Sequence, residues 1–242
     1  MKSSICIPTW NKAPYLDKTL ASIFRQSPPF VCEIIVVNDG STDQTSQVLA
    51  KYLGPLYPHV KIIELPRKDH FRDCSTPLNL AFRAARGDIL IVQSDDHIHE
   101  GNVIESVAAA MQPGTYLNIA VRHSDPPGDW IQHSEHKRSY LPNVSAFYRS
   151  DIYRIGGYDE RFADGVWYSD IWFMECLATT CGLKTIWRDD IVAIHQDHNS
   201  GHRLALNGAS NRNADMLTEL RNIGIHQTPT APWQMEFYHE RD

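Results

Sequence analysis

Along the first half of the chain, two hydrophobic rhythms take turns. Short, continuous apolar runs rich in β-branched residues occur at Ser4–Pro8, Glu33–Asn38, Val60–Leu65 and Asp88–Gln93, the pattern of strands buried on both faces. Between them apolar residues recur at helical spacing. From Ala13 the set is Leu16, Leu20, Ile23 and Phe24, stopped by Pro28-Pro29. After Asp39-Gly40-Ser41, a capping box of Ser41 and Gln44 predicts a helix that turns Val48, Leu49, Tyr52 and Leu53 inward. Pro77 suits the first turn of a helix running to Arg86 and ending at Gly87. Gly101–Gln112 aligns Val103, Ile104, Val107 and Met111.

The second half is less regular. Thr115–Val121 and Asn143–Arg149 read as strands, flanking a polar loop at Ser124–Lys137. A short helix and a Gly156-Gly157-Tyr158-Asp159-Glu160 turn lead to a helix over Ser169–Cys181. Lys184–Trp187 and Ile191–His195 read as two short strands, and Met216, Leu220 and Ile223 mark a last helix. With no repeat and no low-complexity linker, one domain over residues 1–225 is expected: residues 1–112, 113–200 and a C-terminal helix in 201–225, with a tail at 226–242.

Repeated strand–helix units with short connections predict an α/β fold: a mainly parallel central sheet with helices on both faces. Such sheets bind ligands beyond the carboxyl ends of their strands. The segments expected there are Pro8-Thr9-Trp10-Asn11, Asn38-Asp39-Gly40-Ser41 and Ser94-Asp95-Asp96-His97, all rich in polar chemistry.

Composition narrows the possibilities. The 242 residues carry 23 Lys and Arg against 29 Asp and Glu, a net charge of −6, which argues against a nucleic-acid partner. No apolar run approaches the ~18–20 residues that span a bilayer, and no signal peptide is read at the start. Five cysteines without a C-x-x-C pair are read as reduced thiols, so a cytoplasmic location is expected. Twelve histidines in an acidic chain raise the question of a metal.

The chemistry starts from what is missing. No G-x-G-x-x-G and no P-loop follows the first strand, which excludes the usual backbone cradles for a diphosphate. A cation is the other way to neutralise one. Asp95 and Asp96 are adjacent carboxylates past a buried strand and suit Mg²⁺ or Mn²⁺ shared with phosphates; the spacing suits a helix N-terminal cluster equally well. Asp39 in Asp-Gly-Ser is either a base-edge acceptor or a common turn.

Taken in order, Ile5–Asn11 (ICIPTWN), Glu33–Asp43 (EIIVVNDGSTD), Asn79 ahead of Ala85-Arg86-Gly87-Asp88, Ser94-Asp95-Asp96, and Phe147–Glu160 with Asp170 beyond it resemble a family 2 glycosyltransferase of the GT-A fold. The resemblance covers roughly residues 3–200. It implies a single GT-A domain whose first half binds nucleotide and whose second half carries acceptor and catalytic residues. Pro8, Thr9, Asn11, Asp39, Asn79, Ser94 and Asp95 match nucleotide-binding positions, with Asp39 on the base. Asp95, Asp96 and His195 match the metal site for Mn²⁺ or Mg²⁺. Asp170 matches the catalytic base of inverting members, and Trp167-Tyr168 could stack on a sugar. Three departures stand out: Gln93 replaces the first aspartate of Asp-x-Asp, Ser169 replaces the glutamate before Asp170, and Leu78 replaces an arginine whose charge Arg72 could supply.

The implied activity is inverting transfer from a nucleoside-diphosphate sugar, a UDP sugar by resemblance, to an acceptor hydroxyl in polysaccharide assembly. The acceptor class is a glycan or lipid-linked glycan, reached from the cytoplasm or the inner face of the membrane. The alternatives are a sugar-nucleotide-binding module without catalysis, suggested by Gln93 and Ser169, and a sugar nucleotidyltransferase, which would want a glycine-rich signature. His195, His198 and His202 also permit a zinc reading, although no second ligand cluster accompanies them.

Overall fold

The computed structural model describes residues 2–26, 32–67, 72–126, 128–138, 142–198 and 207–224. The buried runs become β1 (Ser3–Thr9), β2 (Cys32–Asn38), β3 (Val60–Glu64) and β4 (Ile89–Gln93), joined through α1 (Ala13–Phe24), α2 (Thr45–Ala50) and α3 (Ser75–Ala84). Then follow β5 (His97–Glu100), α4 (Val103–Ala110), β6 (Thr115–His123), β7 (Trp130–Gln132) and β8 (Val144–Tyr148). After α5 (Arg149–Ile155) and a 3₁₀ turn at Glu160–Phe162 come α6 (Ser169–Thr180), β9 (Lys184–His195) and α7 (Asn207–Ile223).

The strand order is β3-β2-β1-β4-β8-β6-β9-β5, with β7 added to β6. The first four strands are parallel. Past β4 the sheet is mixed: β8 runs antiparallel to β4 and β6, β9 is parallel to β6, and β5 is antiparallel to β9. The expected parallel arrangement therefore describes the first half, where helices make every crossover, and gives way where they do not. Helices cover both faces. Ile5, Ile7, Ile34 and Val36 pack with α1, α2 and α4, whereas Cys6, Ile35, Val37 and Val92 pack with α3, α5, α6 and α7.

One connection fixes the shape. β5 lies four strands from β4 in the sheet, ~19 Å away if the sheet were flat at ~4.8 Å per strand. Yet only Ser94, Asp95 and Asp96 separate Gln93 from His97, a reach of at most ~14 Å for extended chain. The second half must curl back until β5 and β9 stand beside the carboxyl end of β4. His97 then pairs in register with His195, and the Gln196 amide donates to the Asp96 carbonyl at 2.8 Å.

Several local expectations change. The capping box does not form, because the Ser41 hydroxyl accepts from the Asn11 amide (2.9 Å), and α2 instead starts where Asp43 accepts from the Thr45 amide (3.0 Å). Leu53 lies past the end of α2 and is 55% exposed rather than inward. The two late strands are one continuous β9 with a register shift against Ile119/Ala120. β5 falls in a stretch to which the sequence assigns no element, and β7 in the polar loop. Cys6, Cys74, Cys176 and Cys181 are free thiols. Among the described residues no helix is long and apolar enough to cross a membrane. His202 and the 226–242 tail lie outside the described residues.

Candidate active site

The carboxyl ends of β1 and β2 are clamped together. The Asp39 amide donates to the Thr9 carbonyl at 2.9 Å. Asn11, in the left-handed region at φ 52°, accepts through its side-chain oxygen from the amides of Thr42 (2.7 Å) and Asp43 (3.3 Å). Asn11 thus shapes the mouth by tying two loops. Pro8 and Thr9 close β1 below it, and the Thr9 hydroxyl is buried without a hydrogen-bond partner among the described residues. Asp39 is buried and paired with the Arg72 guanidinium, Nε to Oδ1 3.1 Å, so Arg72 delivers positive charge to this end.

Asn79 is bonded to the segment that leads to α6. Its amide donates to the Tyr158 carbonyl (3.0 Å) and to Glu160 (2.8 Å), and its oxygen accepts from the Tyr158 amide (2.8 Å). With both amide protons committed and 1% exposure, Asn79 braces α3 against the Gly-Gly-Tyr-Asp-Glu segment.

At the end of β4 the side chains sort themselves. Asp96 is buried, and its carboxylate lies 2.8 Å from His198 Nε2, 2.8 Å from His97 Nδ1, 3.3 Å from Lys12 Nζ and 3.7 Å from His195 Nε2. Burial opposes its ionisation, but the bonds from His198 and His97 hold the carboxyl well below the usual range. Asp96, His195 and His198 present ligand atoms all within 4.8 Å of one another. Burial pulls the His195 imidazole down to about 4, so it stands neutral at pH 7, the form that binds a metal. Asp95 is not part of that group. Its backbone carbonyl accepts from the Thr19 hydroxyl at 3.0 Å, and the side chain is half-buried at the mouth beside Ser94. Behind His195 stands Asp197, 3.5 Å from Nδ1 and bonded to His123, Ser124 and the Asp125 amide. A carboxylate there favours the Nδ1–H tautomer and leaves Nε2 facing Asp96.

Asp170 opens α6. Its Oδ1 accepts from the Tyr158 hydroxyl at 3.0 Å and lies 3.9 Å from the Cys74 thiol. Burial and then the Asp170 charge push Tyr158 well above its ordinary pKa, so it remains a neutral donor. Asp73, 4% exposed, accepts from the Ser75 amide at 3.0 Å. Burial and then Asp170 raise its carboxyl to about 7, against the Ser169 and Ser75 contacts that lower it. Residues 72–74 therefore run from the Asp39 pair to the Asp170 carboxylate in three steps.

Just before Asp170, Trp167 (φ 63°) and Tyr168 (φ 69°) both occupy the left-handed region, which costs non-glycine residues ~1–3 kcal/mol each. Asn213 on α7 holds them there, its amide donating to the Trp167 carbonyl (2.9 Å) and the Phe162 carbonyl (3.2 Å). Trp167 is 46% exposed, an aromatic face open at the mouth.

The model of glycosyl transferase family 2 matches residues 4–167. The chain belongs to that family. Over 110 residues, 45% of the chain, it is 34% identical to the poly(ribitol-phosphate) β-N-acetylglucosaminyltransferase TarS of Staphylococcus aureus, of which this stretch is 18%. The crystal structure of S. aureus TarS in complex with UDP superposes over 81% of the chain and 61% of that fragment, with TM-score 0.66 and 20% identity. The mannosyltransferase PcManGT from Pyrobaculum calidifontis, in complex with GDP-Man and Mn²⁺, gives TM-score 0.64 at 22% identity over 83% of the chain and 58% of that protein. Both confirm the GT-A fold.

Within family 2 the departures acquire physical reasons. Gln93 is fully buried and donates to the carbonyls of Ser94 (2.9 Å) and His97 (3.1 Å), while its oxygen lies 2.6 Å from His99 Nε2. Burial holds His99 neutral, down to about 3, so an aspartate in place of Gln93 would meet no cation there and could not donate to the turn. Ser169 leaves the room into which Asp73 brings a carboxylate from another element. Sequence reasoning missed Lys12, Asp73, Tyr158 and Asn213 as site residues. Tyr158 stood inside a quoted motif, and Asp73 had an Asp-x-Ser signal ahead of Pro77; Lys12 and Asn213 carry no local signal.

Proposed function

We propose that the chain is a metal-dependent, inverting glycosyltransferase that transfers a sugar from a UDP sugar to an acceptor hydroxyl. The observation that carries this reading is the convergence of Asp96, His195 and His198 beside the clamped ends of β1 and β2. The UDP complex of TarS and the Mn²⁺ of PcManGT support the donor and the cofactor. Asp39, set by Arg72, would accept from the base, and Pro8, Thr9 and the Asn11 clamp would shape the nucleoside pocket. A carboxylate with two imidazoles suits Mn²⁺ better than Mg²⁺, which prefers oxygen ligands alone. Asp95 would join these ligands from the diphosphate side.

A divalent ion held there would act as a Lewis acid on the charge of the departing diphosphate. The chain's own work lies on the other side. Asp170, oriented by the Tyr158 hydroxyl, takes the proton of the acceptor hydroxyl as it attacks the anomeric carbon opposite the leaving group. The exposed Trp167 face and Tyr168 offer a stacking platform for the acceptor ring. A glycan or lipid-linked glycan made at the inner face of a membrane, as in polysaccharide biosynthesis, is the acceptor class this reading carries.

The test is turnover of a panel of sugar nucleotides with and without Mn²⁺. Transfer from one UDP sugar, dependence on Mn²⁺, and a loss of roughly 10²–10⁴-fold in Asp170→Asn with UDP binding retained are expected. Equal turnover by Asp170→Asn overturns the assignment of the base. UDP binding with no turnover of any donor overturns catalysis in favour of a binding module.

A further inference from the structure

The Asp96–His198 pair already holds a cation of the chain's own. Lys12 precedes α1, and its side chain is only 16% exposed. Its Nζ lies 3.3 Å from Asp96 Oδ2, 2.5 Å from His198 Nε2 and 5.2 Å from the centre of the Tyr15 ring. The backbone that aims it is fixed on both sides. Asn11 before it is tied to the 41–43 loop, and the Lys12 carbonyl accepts from the amides of Tyr15 and Leu16.

The arrangement of acceptors is the informative part. An ammonium has donors only, so His198 Nε2 can meet Lys12 only through its lone pair and Asp96 only as a donor, and it serves one neighbour at a time. Asp96 Oδ2 and His198 Nε2 stand 2.8 Å apart, with Lys12 Nζ within 3.3 Å of both. Adjacent ligands of an octahedral ion with bonds of ~2.1 Å are separated by about 3 Å. The lysine and a divalent ion would therefore compete for the same two atoms.

We propose that Lys12 is a built-in counter-cation of the Asp96–His198 pair, displaced by the divalent ion onto the diphosphate of the donor. This inference rests on the metal-dependent reading above and extends it. Without the ion, Lys12 relieves the buried carboxylate of unpaired charge. Once the ion takes Asp96 and His198, the same flexible stem can carry the ammonium to a phosphate oxygen beside it. Both positions keep a positive charge at the end of β4, and the second adds one to the donor's anion.

The experiment compares full-length wild type, Lys12→Met and Lys12→Arg, with folding checked by thermal melting. Mn²⁺ binding without nucleotide is read by electron paramagnetic resonance, and UDP binding at saturating Mn²⁺ by calorimetry. In Lys12→Met, Mn²⁺ is expected to bind roughly tenfold tighter and UDP roughly tenfold weaker, the scale of one charge-assisted contact. Lys12→Arg keeps the charge and is expected to bind UDP within about threefold of wild type. Opposite signs for the two ligands are what a merely structural lysine would not produce. Mn²⁺ binding that is unchanged or weaker in Lys12→Met, or unchanged UDP binding, overturns the proposal while leaving metal dependence standing. No Mn²⁺ binding by wild type or by either variant overturns the metal reading and this inference together.

Discussion

Replacing Asp73 by asparagine separates what this buried carboxyl costs the fold from what it does for Asp170. Its carboxyl titrates near 7 in the folded chain, driven up by burial and then by Asp170, against ~3.9 in an unfolded one. Between those values the folded protein holds a proton that the unfolded chain lacks, so stability falls as pH rises through that window. Three pH units at 1.36 kcal/mol each give an upper bound of about 4 kcal/mol, of which about 3 kcal/mol is lost between about pH 5 and pH 8. Asparagine does not ionise, and it can still accept from the Ser75 amide that Asp73 Oδ1 holds at 3.0 Å. Asp73→Asn is therefore expected to lose much less stability over the same interval. Its neighbours do not blur the comparison, because burial keeps Cys74 and Tyr158 neutral, their pKa values well above the ordinary ones.

The assay is urea unfolding followed by tryptophan fluorescence at both pH values, for wild type and variant. An equal loss of stability in the two proteins refutes the reasoning. The functional counterpart has a definite sign as well. Above about pH 7, where Asp73 is ionised, its charge raises the proton affinity of Asp170, so Asp73→Asn should lower kcat there and leave kcat at more acidic pH near wild type. The KM for the donor should stay near its wild-type value.

Three further outcomes are expected. Asp96→Ala should abolish the response of thermal stability to Mn²⁺, and chelation should silence wild type, with Mn²⁺ restoring activity better than Mg²⁺ in a metal-addition series. Arg72→Met removes the guanidinium from the buried Asp39 carboxylate and should cost ~3–5 kcal/mol by urea unfolding, together with weaker UDP binding; wild-type stability would show that the pair holds nothing. Gly165→Ala drives a methyl group into the Asn213 carboxamide, and should cost ~1–3 kcal/mol and raise the acceptor KM. A second change, Asn213→Ala, should return stability to the level of Asn213→Ala alone.

Much of the first half was legible because β1, β2 and β4 are buried on both faces, which leaves continuous apolar runs, while α1 and α3 show one apolar stripe each. That pattern fixes which residues stand at carboxyl ends, so Thr9, Asn11, Asp39 and Asp96 could be named. Legibility fails where the decisive neighbour is remote. Ser41 and Gln44 spell a capping box, but Asn11 claims the Ser41 hydroxyl from thirty residues away. His97–Glu100 shows no element in the sequence because four residues carry too little pattern, and only β9 makes them a strand. Asn79 matched a motif position, yet its amide is spent on Tyr158 and Glu160. Lys12, Asp73 and Asn213 are ordinary polar residues until tertiary packing buries them.

The curl of the sheet explains why the site is assembled from both halves. A three-residue link between β4 and β5, too short for a flat sheet, forces β9 beside the end of β4 and sets His195 against Asp96. That link is Ser94-Asp95-Asp96 itself, so the segment that carries the acidic chemistry also imposes the closure that brings its histidines. The Asp170 side is closed by a second short segment, Arg72-Asp73-Cys74, which pairs with Asp39 at one end and approaches Asp170 at the other. The groups proposed to bind the donor and to accept the proton are thus joined through backbone only a few residues long at each side. Lengthening either segment by one residue should therefore damage the site more than the fold: the core clusters on both sheet faces would persist while Asp96 parted from His195, or Asp39 from Arg72.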